Sequence, residues 1–198
     1  MVGGGARVGE ALSAAIPALE ASGVDTPRLD AEVLLSGITG IDRARMISEP
    51  DLEMKPADAR EFATAIRRRC AREPVAYILG RKGFRYIDLE VDQRVLVPRP
   101  ETEMLVEVAL EIDPASVLEI GTGSGAIALA IADEIPEAEI TATDVSASAL
   151  VIARRNAARL GSLGHIRFVE ASLPDSGRFD LIVANLPYVA KDEHLAPE

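Results

Sequence analysis

The segment with the plainest chemical content is Glu119-Ile120-Gly121-Thr122-Gly123-Ser124-Gly125. It follows an apolar run, Val117-Leu118-Glu119-Ile120, that reads as a strand, and Gly125 to Glu134 after it reads as a helix. Glycine permits a tight turn and lets a ligand approach the backbone closely. The N–H groups that open a helix can receive a ligand's carboxylate or phosphate. Alternate glycines after a buried strand weaken a fold unless something needs the space. Asp144, 21 residues after Gly123, ends the next strand. An acid there accepts hydrogen bonds from both hydroxyls of a ribose. Glu119, Gly121, Thr122, Gly123, Ser124, Gly125 and Asp144 therefore describe a nucleoside site.

Two ligands compete for that site. Gly121-x-Gly123-x-x-Ala126 fits the looser dinucleotide fingerprint. A pyrophosphate, however, would meet the carboxylate of Glu119. S-adenosyl-L-methionine carries an ammonium and a sulfonium and no phosphate, so it tolerates a neighbouring acid. The spacing Glu-x-Gly-x-Gly-x-Gly resembles the first motif of class I methyltransferases, which favours the methyl donor.

Asn185-Leu186-Pro187-Tyr188 supplies the second constellation. It follows Phe179 to Ala184, which reads as a buried strand, and so lies at a strand's C-terminal end, where open α/β sheets bind ligands. It resembles the Asn/Asp-Pro-Pro-Tyr motif of enzymes that methylate planar nitrogens. Such a nitrogen is a poor nucleophile because its lone pair is delocalised. The Asn185 side-chain oxygen and the carbonyl of Leu186 or Pro187 could accept its two N–H bonds. That would aim the nitrogen at the methyl group and favour pyramidal geometry as charge develops. Pro187 limits backbone freedom, and the Tyr188 ring could pack on the substrate plane. Asn185, Pro187 and Tyr188 are the expected catalytic residues, and Asn185 is also placed among the donor contacts. A structural turn would explain the tetrapeptide alone, but not its company with Gly121–Gly125 and Asp144.

The elements that must position these residues form two patterns. Up to residue 73 the chain reads as a small helical bundle. Val8, Leu12, Ala15, Ile16 and Leu19 recur at helical spacing, and Gly23 is a stop. Asp25-Thr26-Pro27 starts a second helix, Ala44 to Ile47 is a short segment, and Pro56 opens a helix carrying Phe62, Ile66 and Cys70. Pro74 ends that pattern. Arg81-Lys82-Gly83 reads as a turn before a strand over Phe84 to Val91, giving a hairpin. Pro98 and Pro100 hold their backbone extended, and Glu101 to Glu111 is a helix. From Ser116 strands and helices alternate: strands over Glu139–Asp144 and Ile166–Glu170, and a helix over Ala147–Leu160. Alternation of this kind predicts a parallel sheet covered by helices. Doubly wound sheets usually hold more strands, so further C-terminal strands are expected after Glu198.

Composition narrows the partners. The 198 residues carry a net charge of −11, which disfavours general nucleic-acid binding. Arg67, Arg68, Arg69 and Arg72 form a local basic run that reads as a solvated helix face. Cys70 is alone, and no residues have metal-ligand spacing. His165 and His194 lie far apart without visible partners. Met1 to Ala21 lacks the form of a secretory signal, and Val117 to Ala132 is too short to span a membrane. A cytoplasmic protein without metal or membrane is expected.

Glu73-Pro74-Val75-Ala76-Tyr77-Ile78-Leu79-Gly80, Phe84, and Val95-Leu96-Val97-Pro98-Arg99-Pro100-Glu101-Thr102-Glu103 together resemble the release factor glutamine methyltransferase family. The order of parts matches too: helical domain, hairpin, Pro-Arg-Pro-Glu-Thr-Glu, then the glycine motif. The resemblance implies a Rossmann-like class I methyltransferase sheet with its last strands missing, an N-terminal substrate-recognition domain over 1–73, a hairpin linker over 74–97 and a methyltransferase domain over 98–198. It implies methyl transfer from S-adenosyl-L-methionine to the glutamine of the Gly-Gly-Gln loop of peptide chain release factors. Ser172 and Leu173 fall at adenine contacts of the family. Asn185 to Tyr188 would hold the glutamine, and Pro98, Arg99, Glu101 and Thr102 would line the pocket. A rigid interdomain strut is the other reading for Arg99 and Glu103. Leu186 departs from the family's usual Pro, and Asn-Leu-Pro-Tyr is typical of ribosomal RNA adenine dimethyltransferases. The alternatives are accordingly a nucleic-acid adenine methyltransferase and a non-catalytic fragment. Nucleic acid is otherwise not expected except in the context of the ribosome or release factor.

Overall fold

Apolar residues at helical spacing, opened by prolines and closed by glycines, build the first part of the chain. The computed structural model describes residues 6–174 and 177–186. The chain divides into two compact units, one running through Leu79 and the other starting at Gly80. The first holds α1 (Val8–Ala21), α2 (Pro27–Thr39), α3 (Arg43–Ser48), α4 (Pro56–Cys70) and α5 (Val75–Leu79). Pro27 and Pro56 sit in the first turns of α2 and α4, where a missing N–H costs nothing. Gly40 ends α2 in the left-handed conformation, at φ 73°. Val8, Leu19, Leu34, Leu35, Met46 and Phe62 form the core of this unit.

Two features of the helical unit differ from the sequence expectation. Pro74 does not only end the preceding pattern. It opens α5, accepting hydrogen bonds from the N–H groups of Tyr77 and Ile78, because a helix start needs no proline N–H. The basic run is also not wholly a solvated face. Arg69 is buried, and its Nε donates to Asp30 Oδ2 at 2.7 Å. Thr26 Oγ1 donates to the other Asp30 oxygen at 2.8 Å, and Arg69 Nη1 donates to the Glu73 carbonyl at 3.2 Å. The pair clamps the start of α2 to the end of α4.

The second unit begins with an antiparallel hairpin, β1 (Arg81–Phe84) and β2 (Ile87–Glu90). Its turn lies at Arg85-Tyr86, and Arg81-Lys82-Gly83 belongs to a strand. Arg85 supplies the left-handed residue, at φ 49°. Its side chain explains why the turn forms there: it makes a bidentate pair with Glu134, at 2.5 and 2.9 Å. A 3-10 turn over Pro100–Thr102 leads into α6 (Glu103–Ile112). Then follow β3 (Ser116–Ile120), α7 (Ala126–Glu134), β4 (Glu139–Asp144), α8 (Ala147–Leu160), β5 (Ile166–Glu170) and β6 (Leu181–Ala184).

The four strands of the sheet are parallel, in the order β5-β4-β3-β6. The chain runs outward from β3 to β5 and returns on the other side of β3. That reversal opens a crevice beyond the C-terminal ends of β3 and β6. Every residue of α7 from Ala126 to Ala132 is buried. β6 is less buried than its apolar sequence predicts, since only Val183 is covered and Ile182 is 58% exposed. Among the described strands β6 is an edge, so it has a neighbour on one side only.

Removing one partner of a buried ion pair leaves the other charge uncompensated. Asp30→Ala should therefore lower stability by about 3 kcal/mol, read by urea unfolding followed by circular dichroism. A loss below about 1 kcal/mol, the range of exposed pairs, would show that water reaches the pair.

Candidate functional site

Strand register brings the two sequence constellations together. Ile120 lies opposite Ala184 in the β3–β6 pairing, so Gly121 and Asn185 leave the sheet side by side. The approach is close: a Cβ on Gly121 would stand 2.8 Å from Leu186 Cδ2. Gly121, Gly123 and Gly125 have φ of 72°, 54° and 84°, a region that side chains disfavour. The N–H groups of Gly121 and Thr122 both donate to the Thr143 carbonyl at 2.9 Å, anchoring the loop to β4.

Asp144 ends β4 against this loop. Its Oδ2 accepts from Gly123 N at 2.9 Å, and its Oδ1 accepts from Ser146 N at 2.8 Å. Each carboxylate oxygen has two lone pairs, so these bonds leave acceptor capacity for hydroxyls. Ser146 in turn caps α8, its Oγ accepting from Ala149 N. The loop, Asp144 and the start of α7 thus form one cradle. A glycine turn too tight for side chains beside an acceptor pair fits a nucleoside with a free ribose, as S-adenosyl-L-methionine has.

Glu119 sits differently from its neighbours. Its side chain is turned beneath the loop and is only 2% exposed. Glu119 Oε2 accepts from Thr122 Oγ1 at 2.6 Å and from Ala128 N at 3.1 Å. It therefore caps α7 from the strand below, where the N-cap Gly125 has no side chain to do so. Burial pushes its carboxyl up to about 7; the bonds from Thr122 and Ala128 oppose this, and the nearby Asp144 charge adds to it.

Asn156 carries no motif, yet it is completely buried beside the loop. Its Nδ2 donates to the carbonyls of Ser124 and Glu90, both at 2.9 Å. Its Oδ1 accepts from Glu90 N at 2.6 Å and from Arg159 Nη2 at 3.4 Å. One side chain so joins α8, the glycine loop and β2. The sequence held a signal: Asn156 interrupts the stripe of Leu150, Ala153 and Ala157 on the buried face of α8.

Of the expected substrate residues, Thr102 makes a described contact with Asn185. Thr102 is buried, and its Oγ1 accepts from Asn185 Nδ2 at 3.0 Å. Pro98 is buried, while Arg99 and Glu101 are exposed. Glu103 accepts from Arg85 N at 3.2 Å, which ties α6 to the hairpin turn as a strut would. Ser172 and Leu173 follow β5 and are exposed, and Ala171 N just before them donates to the Asp144 carbonyl at 3.0 Å. Leu186 is half exposed. Pro187, Tyr188 and His194 lie outside the described residues. Among the described residues no cluster of His, Cys, Asp or Glu could hold a metal ion. No described helix is long and apolar enough to cross a membrane.

The acid under the loop makes a pH prediction. A carboxyl whose folded pKa is raised contributes stability that is full below its unfolded value and lost as pH rises through the folded one. The window here runs from about 4.5 to about 7. Relative to Glu119→Gln, which keeps a neutral acceptor for Thr122 and Ala128, the wild type should lose about 3 kcal/mol across it. Unfolding of both proteins between pH 4 and 8 measures the difference. Parallel curves would show that the Glu119 carboxyl keeps its ordinary range.

Comparison with known proteins finds relatives that match both parts of the chain. Residues 10–80 match the family model of the PrmC N-terminal domain, and residues 100–196 match that of the methyltransferase small domain. The release factor glutamine methyltransferase of Koribacter versatilis is 41% identical over 93% of this chain and 68% of its own length. That of Cereibacter sphaeroides is 42% identical over 97% of this chain and 70% of its own length. The chain thus spans about two thirds of the length of these curated relatives. Among solved structures, a ribosomal protein L11 methylase from Lactobacillus delbrueckii subsp. bulgaricus is 35% identical over 44% of this chain and 47% of that chain, with a TM-score of 0.38. With a glycine cradle, an acid at the next strand end and Asn185 beside them, and with both units matched in order, the chain belongs to the release factor glutamine methyltransferase family of S-adenosyl-L-methionine-dependent methyltransferases.

Proposed function

We propose that this chain methylates peptide chain release factors in the cytoplasm, at the side-chain amide nitrogen of the glutamine in their Gly-Gly-Gln motif. The observation that carries the reading is the Ile120–Ala184 register, which sets Asn185 directly beside the glycine cradle. S-adenosyl-L-methionine, when bound, supplies a methyl group on a sulfonium, which leaves as a neutral thioether.

The protein's own task is to hold and orient. Asp144 and the Gly121–Gly125 loop hold the nucleoside, and Ser172 and Leu173 flank its base. Asn185 Oδ1 and a backbone carbonyl of the Asn-Leu-Pro-Tyr segment accept the two amide N–H groups. Those two bonds would draw density onto the nitrogen and hold it toward the methyl group that S-adenosyl-L-methionine would supply. The nitrogen then loses one proton to water. Pro187 and Tyr188 of the same tetrapeptide are the other residues assigned to catalysis. Pro98, Arg99, Glu101 and Thr102 form the wall of the glutamine pocket. The helical unit grips the body of the release factor.

Two variants separate the roles. Asp144→Ala should weaken donor binding about 100-fold through lost charge-assisted bonds, measured by calorimetry. Asn185→Ala should leave donor affinity within about 3-fold while transfer falls about 100-fold or more. Labelled methyl donor, offered with release factor and separately with ribosomal RNA, tests the target. Label on release factor glutamine is the expected result. Label on RNA alone would make this an adenine methyltransferase of the kind Leu186 points to. Donor binding without any label would leave a binding module.

A further inference from the structure

We propose that Thr102 is a positioning residue that anchors the Asn185 amide beside the substrate nitrogen; this deepens the function proposed above and rests on it. An amide side chain carries two donors on one arm and an acceptor on the other, and the arms are nearly equal in size. A half-turn about its last bond costs little sterically. It would present an NH2 group to a substrate that is itself an N–H donor. A fixed partner outside the Asn-Leu-Pro-Tyr segment would hold the amide in place against such rotation.

Thr102 does so. Asn185 Nδ2 donates to Thr102 Oγ1 at 3.0 Å, across a sequence separation of 83 residues. In this pairing the Oδ1 arm is left to accept from the substrate nitrogen. Thr102 is itself fixed. It is buried, it closes the 3-10 turn, and its N–H donates to the Arg99 carbonyl at 3.0 Å. Its β-branched side chain has few rotamers. The bond from Arg85 N to Glu103 holds the next residue to the hairpin turn, and the Arg85 side chain ties that turn to the end of α7. The proline-rich segment is thus rigid because it has a hydroxyl to deliver, and Glu103 and Arg85 serve Asn185 through Thr102.

Thr102→Val removes the hydroxyl at nearly constant volume, and Thr102→Ser keeps it. In chain labelled with 15N-asparagine, the Asn185 side-chain signal is assigned by its loss in Asn185→Ala. That signal should shift in Thr102→Val and return close to its wild-type position in Thr102→Ser. In turnover with release factor, Thr102→Val should lower kcat roughly 10- to 100-fold, the range for a misplaced reacting group. Its donor affinity should stay within about 2-fold, and Thr102→Ser should recover kcat to within about 3-fold, since the single bond is worth only about 1 kcal/mol. An unshifted Asn185 signal, or a wild-type kcat in Thr102→Val, overturns the inference alone. Failure of the wild-type chain to methylate any release factor overturns the proposed function, and the inference with it.

Discussion

The pairing of β3 with β6 is the constraint on which the site depends. Parallel strands that start together also end together, so one register decides which residues leave the sheet as neighbours. With Ile120 opposite Ala184, the Gly121–Gly125 loop and the Asn185-Leu186 segment leave the sheet as neighbours, and Leu186 lies close against Gly121. A slip of one residue would turn Val183 from the buried face to the open one and carry Asn185 away from Gly121. The apolar face of β6 and the Asp180 carboxylate hold the register. Asp180 Oδ2 accepts from both the N–H and the hydroxyl of Ser116 at 2.9 Å, at the other end of the same strand pair.

Around that register the unit uses buried polar groups as ties between elements. Glu119 fastens the glycine loop to the start of α7, Asp144 fastens it to the start of α8, and Asn156 fastens it to the hairpin. Each tie uses a side chain to satisfy backbone groups that a tight turn leaves exposed. A loop with three left-handed glycines has little intrinsic preference for one shape. Its precision comes from these ties, and catalysis by orientation needs that precision. The same logic places Thr102 against Asn185 through a segment stiffened by prolines and held by Arg85.

The helical unit repeats the device on a smaller scale. Asp30 and Arg69 are buried at the junction of α2 and α4 and are saturated by Thr26 and the Glu73 carbonyl. Such a pair fixes how two helices meet more than it adds to stability.

The sequence by itself determined the elements and the chemistry of the cradle. Period, proline starts and glycine stops were enough for α1 to α4 and for β4, α8 and β5, since these are local properties of the chain. The positions of the glycine loop, Asp144 and Asn185 at strand ends were legible because each ends or follows a short run that reads as a strand. Tertiary structure decided what depends on neighbours distant in sequence. The hairpin turn moved to Arg85 because Glu134 waits for its guanidinium. β6 proved half exposed because it has a partner on one side only. Glu119 turned under the loop to cap a helix that has glycine at its N-cap. Asn156 and the Thr102–Asn185 bond join residues 66 and 83 positions apart, and no local pattern encodes which distant backbone or hydroxyl a buried amide will find.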